Sequence, residues 1–165
     1  MAEVAPSPDQ DFYLVTHQPL AIADLVDAVN SPALGGTAVF VGTVRSPNLG
    51  KDVAYLDYEG YETMIESEMR LLAHEARAAA PAPESGAQEV GPIRIVIAHR
   101  LGRLEPGEAA VVVAVAARHR AQALRLCAEL VDASKARLPI WKLEVGVDGS
   151  SEYAGGTAVA AQTLT

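Results

Sequence analysis

The sequence predicts an α+β fold with a mainly antiparallel sheet and two long helices. Three observations carry this expectation. Short apolar, β-branched segments come in adjacent pairs joined by turn residues, as in "PIRIVIAHRLG" and "AAVVVAVAAR" around "LEPGE". Helical periodicity is sustained in two long stretches, 62–80 and 119–137. The elements do not alternate strand and helix regularly, as a doubly wound parallel sheet requires. With 165 residues, 50% of them hydrophobic, the chain suits one domain with a sizeable core.

Taken in order, "FYLVTH" (12–17) reads as a strand, and "LAIADLVDAVN" (20–30) has helical spacing and stops at "SP". "GGTAVFVGTVR" (35–45) is a strand followed by the loop "SPNLGK", and "DVAYLDYEGY" (52–61) is expected to pair with it. "ETMIESEMRLLAHEARAAA" (62–80) is a helix ended by "PAPESG". The strands 92–102 and 109–118 follow, then the helix 119–137, then a last strand "PIWKLEVGV" (139–147) closed by "DG". Residues 1–11 read as a disordered lead-in, 12–155 as a single domain and 156–165 as a tail.

The composition excludes several classes. No apolar run approaches the ~20 residues that span a bilayer, and the polar, acidic start lacks the features of a secretory signal. Cys127 is the only cysteine, so no intrachain disulfide forms, which fits a reducing, cytoplasmic setting. A net charge of -8 and 5% aromatic content argue against nucleic-acid binding. Yet from Arg118 to Lys142 there are six basic residues against two acidic ones, so this segment is +4 and the rest of the chain -12. A local cationic cluster on an acidic protein points to a small anionic ligand.

On a helical wheel, Arg120, Leu124, Cys127, Val131 and Lys135 form one stripe. Its apolar middle is expected to face the core. Lys135 would then be partly desolvated, with a lowered pKa and an accessible neutral amine; a lysine that snorkels to water is the alternative. Lys142 follows Trp141 in a strand, so the two side chains point to opposite faces, and periodicity does not choose which faces a cleft. "RHR" (118–120) stands at a helix start, where free N–H groups and the dipole suit an anion; a solvated basic turn is the alternative. "GTVRSPNLGK" lacks the spacing of a phosphate-binding P-loop, but Arg45 at a strand end is a plausible anion contact. His17, His74, His99 and His119 share no metal-ligand spacing. Cys127 lies mid-helix on the apolar stripe, where a thiol is inert. Glu105 and Glu108 flank "PG" and read as turn solvation.

Three stretches together resemble the large, catalytic subunit of molybdopterin synthase: "GGTAVFVGTVRSPNLGKDVAYLDYEGYETMIESEM", "IAHRLGRLEPGEAAVVVAVAARHRAQAL" and "LVDASKARLPIWKLE". The likeness runs from about Phe12 to about Tyr153. It rests on "HRxGxLxPGE", the "HR" at a helix start and "K-x-R-x-P-x-W-K" in combination. The resemblance implies an α/β hammerhead-like fold and a homodimer. It implies that each copy binds a small ubiquitin-like sulfur-carrier subunit, whose C-terminal Gly-Gly ends in a thiocarboxylate, giving a heterotetramer. The implied reaction moves two sulfurs, from two carriers in turn, to cyclic pyranopterin monophosphate to make the molybdopterin dithiolene. No cofactor and no metal are implied, since the partner supplies the sulfur. Carried over residue by residue, the resemblance makes Lys135 and Lys142 catalytic and substrate-binding. It adds Thr43, Val44, Arg45, His119, Arg120, Leu143 and Glu144 as substrate contacts. Some family members have a basic residue where this chain reads "YAGG" (153–156), and here no lysine or arginine follows Lys142. A non-catalytic anion-binding or scaffold domain of the same fold stays open as a second reading.

Overall fold

The strand that organises the molecule is β6, Ala109–Ala117, whose sequence AAVVVAVAA is buried at every position from Val112 to Ala117. An apolar run on both faces belongs at the centre of a sheet covered on two sides. In the computed structural model, which describes residues 11–79 and 92–154, β6 takes that place. It pairs antiparallel with β4 (Arg94–Arg100) on one side and with β2 (Gly36–Thr43) on the other. β1 (Phe12–Thr16) adds to β4 as the one parallel pair between the named strands.

Alternation along β6 divides the core. Val112, Ala114 and Ala116 face the short helix α1 (Ile22–Asp27), packing with Leu25, Ala28 and Val29. Val113, Val115 and Ala117 face α2 (Glu62–Ala78) and α3 (Arg120–Arg137), packing with Met69, Leu72, Leu126 and Leu130. Arg137, late in α3, makes ion pairs with Glu68 and Glu75 of α2 and so joins the two helices. Asp11, assigned from sequence to the lead-in, accepts from Arg77 at 2.7 Å and from the Ile95 amide at 3.0 Å. Residues 1–10 and the tail 156–165 lie outside the described residues.

A second, antiparallel sheet has the order β5 (Gly102–Leu104), β3 (Val53–Gly60), β7 (Ile140–Gly146), β8 (Ser151–Ala154). The expected pairing of 35–45 with 52–61 is therefore overturned: β2 lies beside β6, and β3 lies between β5 and β7. The physical reason is at the end of β2. Its register with β6 shifts between Gly42 and Thr43, and Val44 leaves the ladder. The Val44 amide then donates to the Glu108 carbonyl at 3.0 Å, and its carbonyl accepts from the Gly107 amide at 2.7 Å. Held there, the chain crosses to the second sheet instead of folding back on β2. β5 and β8 were not anticipated; each is short, and "DG" proves to be the turn of the β7–β8 hairpin.

The predicted stripe of α3 is also corrected. The buried residues are Ala123, Leu126, Cys127, Leu130 and Ser134. Leu124 is 61% exposed, and Lys135 is exposed rather than continuing a buried row. The helix carries two adjacent apolar rows, and the one with the smaller residues at its ends faces the sheet. The close approach shows at Gly36, where a Cβ would stand 2.9 Å from the Arg120 Cα. The corrected face is testable by chemical denaturation. Leu126→Ala is expected to cost about 2–5 kcal/mol, and Leu124→Ala less than about 0.5 kcal/mol. Equal losses would restore the stripe read from sequence.

Candidate functional site

Where the two sheets meet the C-terminal end of α3, the surface opens into a cleft of about 710 Å³. Five of the predicted residues reach it, from three directions. Thr43 and Arg45 come from the end of β2, Lys142 from β7, and Lys135 from the last turns of α3. Glu144, two residues beyond Lys142, shares its face of the strand and also lines the cleft. Alternation in β7 sends Trp141 and Leu143 to the other face, which settles the orientation that periodicity left open. Among the described residues, the charged side chains on the lining are thus Arg45, Lys135 and Lys142 against the single carboxylate of Glu144. An acidic chain has concentrated positive charge in one concavity, where low-dielectric walls strengthen its pull on an anion.

Val44, Leu143, His119 and Arg120 do not line this cleft. Val44 is 2% exposed, packs with Val53, Leu56, Leu104 and Ala110, and has both backbone groups bonded to the 105–108 turn. His119 and Arg120 stand exposed at the start of α3. At ~1.5 Å rise per residue, Arg120 is about 22 Å along the axis from Lys135. A helix that folds straight from one end of the sheet to the other separates them within one chain.

Several lining residues were not singled out from sequence. Asn48 accepts two hydrogen bonds from Arg45 through Oδ1, from Nε at 3.2 Å and Nη2 at 2.8 Å, and its Nδ2 donates to Glu144 Oε2 at 2.8 Å. Tyr58, directly opposite Lys142 across the β3–β7 ladder, meets the ring of His99 edge-on at 5.2 Å. Burial and the nearby Glu144 carboxylate raise the Tyr58 pKa above its ordinary value. Ser134 is 6% exposed and lines the cleft, and its Oγ has no hydrogen-bond partner among the described residues. Alternation offered a signal for two of these: His99 follows Ile95 and Ile97 on one face of β4, and Tyr58 follows Leu56 on β3. The bonds of Asn48 depend on loop geometry that periodicity does not report.

His99 is 8% exposed. Its Nδ1 lies 2.9 Å from the Arg100 carbonyl, which can only accept, so Nδ1 carries the hydrogen and Nε2 is left as an acceptor. Burial pushes its pKa down to about 4, against a smaller upward pull from that carbonyl. Beside it, Arg100 pairs with Glu108 at 2.9 Å, and the second Glu108 oxygen accepts from the Glu105 amide at 2.7 Å. Both bonds hold the Glu108 carboxyl below its ordinary pKa, the amide more than the arginine. Glu108 is therefore structural, not turn solvation as the sequence suggested. The sole cysteine, Cys127, is buried, and burial raises its pKa.

A cleft at the joint of two sheets, lined by Arg45, Lys135 and Lys142, has the chemistry to hold a small anion. The chain belongs to the MoaE protein family, whose model matches residues 15–137. It is 37% identical over 158 residues to the molybdopterin synthase catalytic subunit 1 of Mycobacterium tuberculosis, covering 94% of this chain and 98% of that one. The crystal structure of molybdopterin synthase from Staphylococcus aureus superposes with a TM-score of 0.76 at 27% identity, covering 86% of this chain and 96% of that one. A complex of subunits 1 and 2 of the molybdopterin-converting factor from Helicobacter pylori has the same fold, with a TM-score of 0.66 at 21% identity over 86% of this chain and 89% of that one.

The buried neutral His99 has a consequence for stability. Its folded pKa is depressed, so as pH falls from about 6.5 to about 4 the unfolded chain binds a proton that the folded chain refuses. Stability present above pH 6.5 is lost across that window, by up to about 3 kcal/mol at 1.36 kcal/mol per pKa unit. Urea unfolding at stepped pH should show this loss in the wild type and a smaller loss in His99→Gln. Superimposable pH profiles would show that His99 is not held neutral.

Proposed function

We propose that the cleft is the active site of a molybdopterin synthase catalytic subunit. It takes sulfur from the C-terminal thiocarboxylate of a small ubiquitin-like carrier and delivers it to cyclic pyranopterin monophosphate, building the molybdopterin dithiolene. The observation that carries this reading is the convergence of Arg45, Lys135 and Lys142 on one cleft of a chain with net charge -8. Membership of the MoaE family supports it. A phosphate and a thiocarboxylate are both small anions, and three cations can hold both at once. Sulfur arrives on the partner, so the chain needs neither a reactive thiol nor a cofactor. The carrier's Gly-Gly tail is slim enough to thread a cleft between side chains. No helix among the described residues is long and apolar enough to cross a membrane, and we place the reaction in the cytoplasm.

Lys135 is the catalytic residue in this account. Its exposure supports a charged amine that stabilises the anion developing as the thiocarboxylate reacts, with proton transfer following. Lys142 neutralises the second anion, and Arg45 grips the phosphate, with Thr43 and Glu144 completing the contacts. The separation of Lys135 from His119 and Arg120 supports a further element: a second copy of the chain brings its helix start to this cleft. The functional unit is then a homodimer with a carrier at each cleft, a heterotetramer.

The expected kinetics follow. Lys135→Ala, with folding and carrier binding intact, should lower turnover by roughly 10²-fold or more, as loss of a preorganised donor does. Arg120→Ala homodimers should also be impaired. Mixed dimers of the two variants contain one site with both defects and one with neither, so activity should return. Near-normal turnover in Lys135→Ala would remove that lysine from the mechanism, and silent mixed dimers would place Arg120 outside the neighbour's site.

A further inference from the structure

We propose that Asn48 is a positioning residue that keeps the Arg45 guanidinium available to an anion by holding it apart from Glu144. The inference rests on the reading of the cleft given above. It begins in the loop after β2. Asn48 and Lys51 exchange both backbone hydrogen bonds, each 2.9 Å, around Leu49 and Gly50. Both central residues have positive φ, 48° and 80°, as a two-residue hairpin turn of the primed type requires. Glycine adopts this readily; leucine does so at a steric cost. Leu49 is 92% exposed, so its side chain offsets none of that cost by burial within the chain. A strained turn beside a binding cleft is a device for placing something, and what it places is the Asn48 side chain.

That carboxamide stands between a cation and an anion. Oδ1 takes two of the five N–H groups of Arg45, which leaves three free to meet a ligand. Nδ2 donates to Glu144. The amide has one acceptable orientation, because the flipped form sets donor against guanidinium and acceptor against carboxylate. Both neighbours are satisfied by a neutral group, so neither charge is spent on the other. Remove the carboxamide that bridges them, and the Glu144 carboxylate is left to take the Arg45 guanidinium directly as a forked pair. The cleft would then lose one of its three cations to an internal ion pair. Asn48 thus sets the charge that the substrate phosphate meets without donating to the substrate itself.

A double-mutant cycle with two readouts tests this. In the Glu144 background, Asn48→Ala should raise KM for the phosphate-bearing precursor about tenfold, the scale of one lost charge-assisted hydrogen bond, with kcat within about threefold. In a Glu144→Gln background no carboxylate is present to capture Arg45, and the same change should alter KM by less than about threefold. Titration with inorganic phosphate, followed through the Arg45 Nε–H signal by nitrogen-15 NMR, reads the site without sulfur transfer. The phosphate affinity should fall in Asn48→Ala and recover in Asn48→Ala/Glu144→Gln. An equal penalty in both backgrounds would reduce Asn48 to a loop-folding residue, and an unchanged phosphate affinity in Asn48→Ala would overturn the inference. If phosphate behaves as stated while no sulfur is transferred, the inference stands and the assigned reaction fails.

Discussion

The clamp on Val44 is the constraint from which the rest of the architecture follows. Both of its backbone groups bond to the turn that precedes β6, and its side chain is 2% exposed among residues of both sheets. That turn is braced in its own right: Glu108 spans from the Glu105 amide to the Arg100 guanidinium, whose side chain is 12% exposed. A residue so fixed cannot continue the β2 ladder, and the next one, Arg45, is delivered to the rim of the cleft. Backbone groups taken from one strand must be bonded elsewhere, and the turn supplies the partners. The "PGE" segment thus acts at a distance on the ligand site through Val44, although it lines none of it.

Electrostatics then divides the basic residues by task. Arg137 is engaged by Glu68 and Glu75, and Arg77 by Asp11, so these guanidiniums hold elements together. Lys135 and Lys142 have no ion pair among the described residues. Three cations brought into one concavity repel one another, a cost that a bound anion removes. The acidic remainder of the chain keeps the cationic field local, which favours a small ligand over a polyanion.

Much of this was legible in the sequence, for reasons that differ by element. β6 and the two long helices were readable because burial on both faces and 3.6-residue periodicity are local patterns. The pairing of β3 was not, because neighbours in sequence yield to a better apolar partner: β2 goes to β6, and the reason lies in hydrogen bonds of Val44 with residues over sixty positions away. On α3, two adjacent apolar rows made the wheel ambiguous, and only contact with the sheet chose the row of Leu126. Arg45, Lys135 and Lys142 were read from motifs and do converge, yet the same motifs grouped them with Arg120, which the length of α3 carries away. Tyr58, Ser134 and Asn48 escaped notice, and His99 was weighed only as a metal ligand, because a histidine, a tyrosine, a serine or an asparagine becomes informative only once its burial and partners are known.

The central claim is that this cleft joins a thiocarboxylate donor to a phosphate-bearing pterin. It is tested most directly by mixing the purified chain with thiocarboxylated carrier and cyclic pyranopterin monophosphate and counting both sulfur donors consumed and dithiolene formed. The account predicts dithiolene product with two carriers spent per precursor, and none when the carrier ends in an ordinary carboxylate. A carrier that binds the folded chain while the precursor is left unconverted would contradict it.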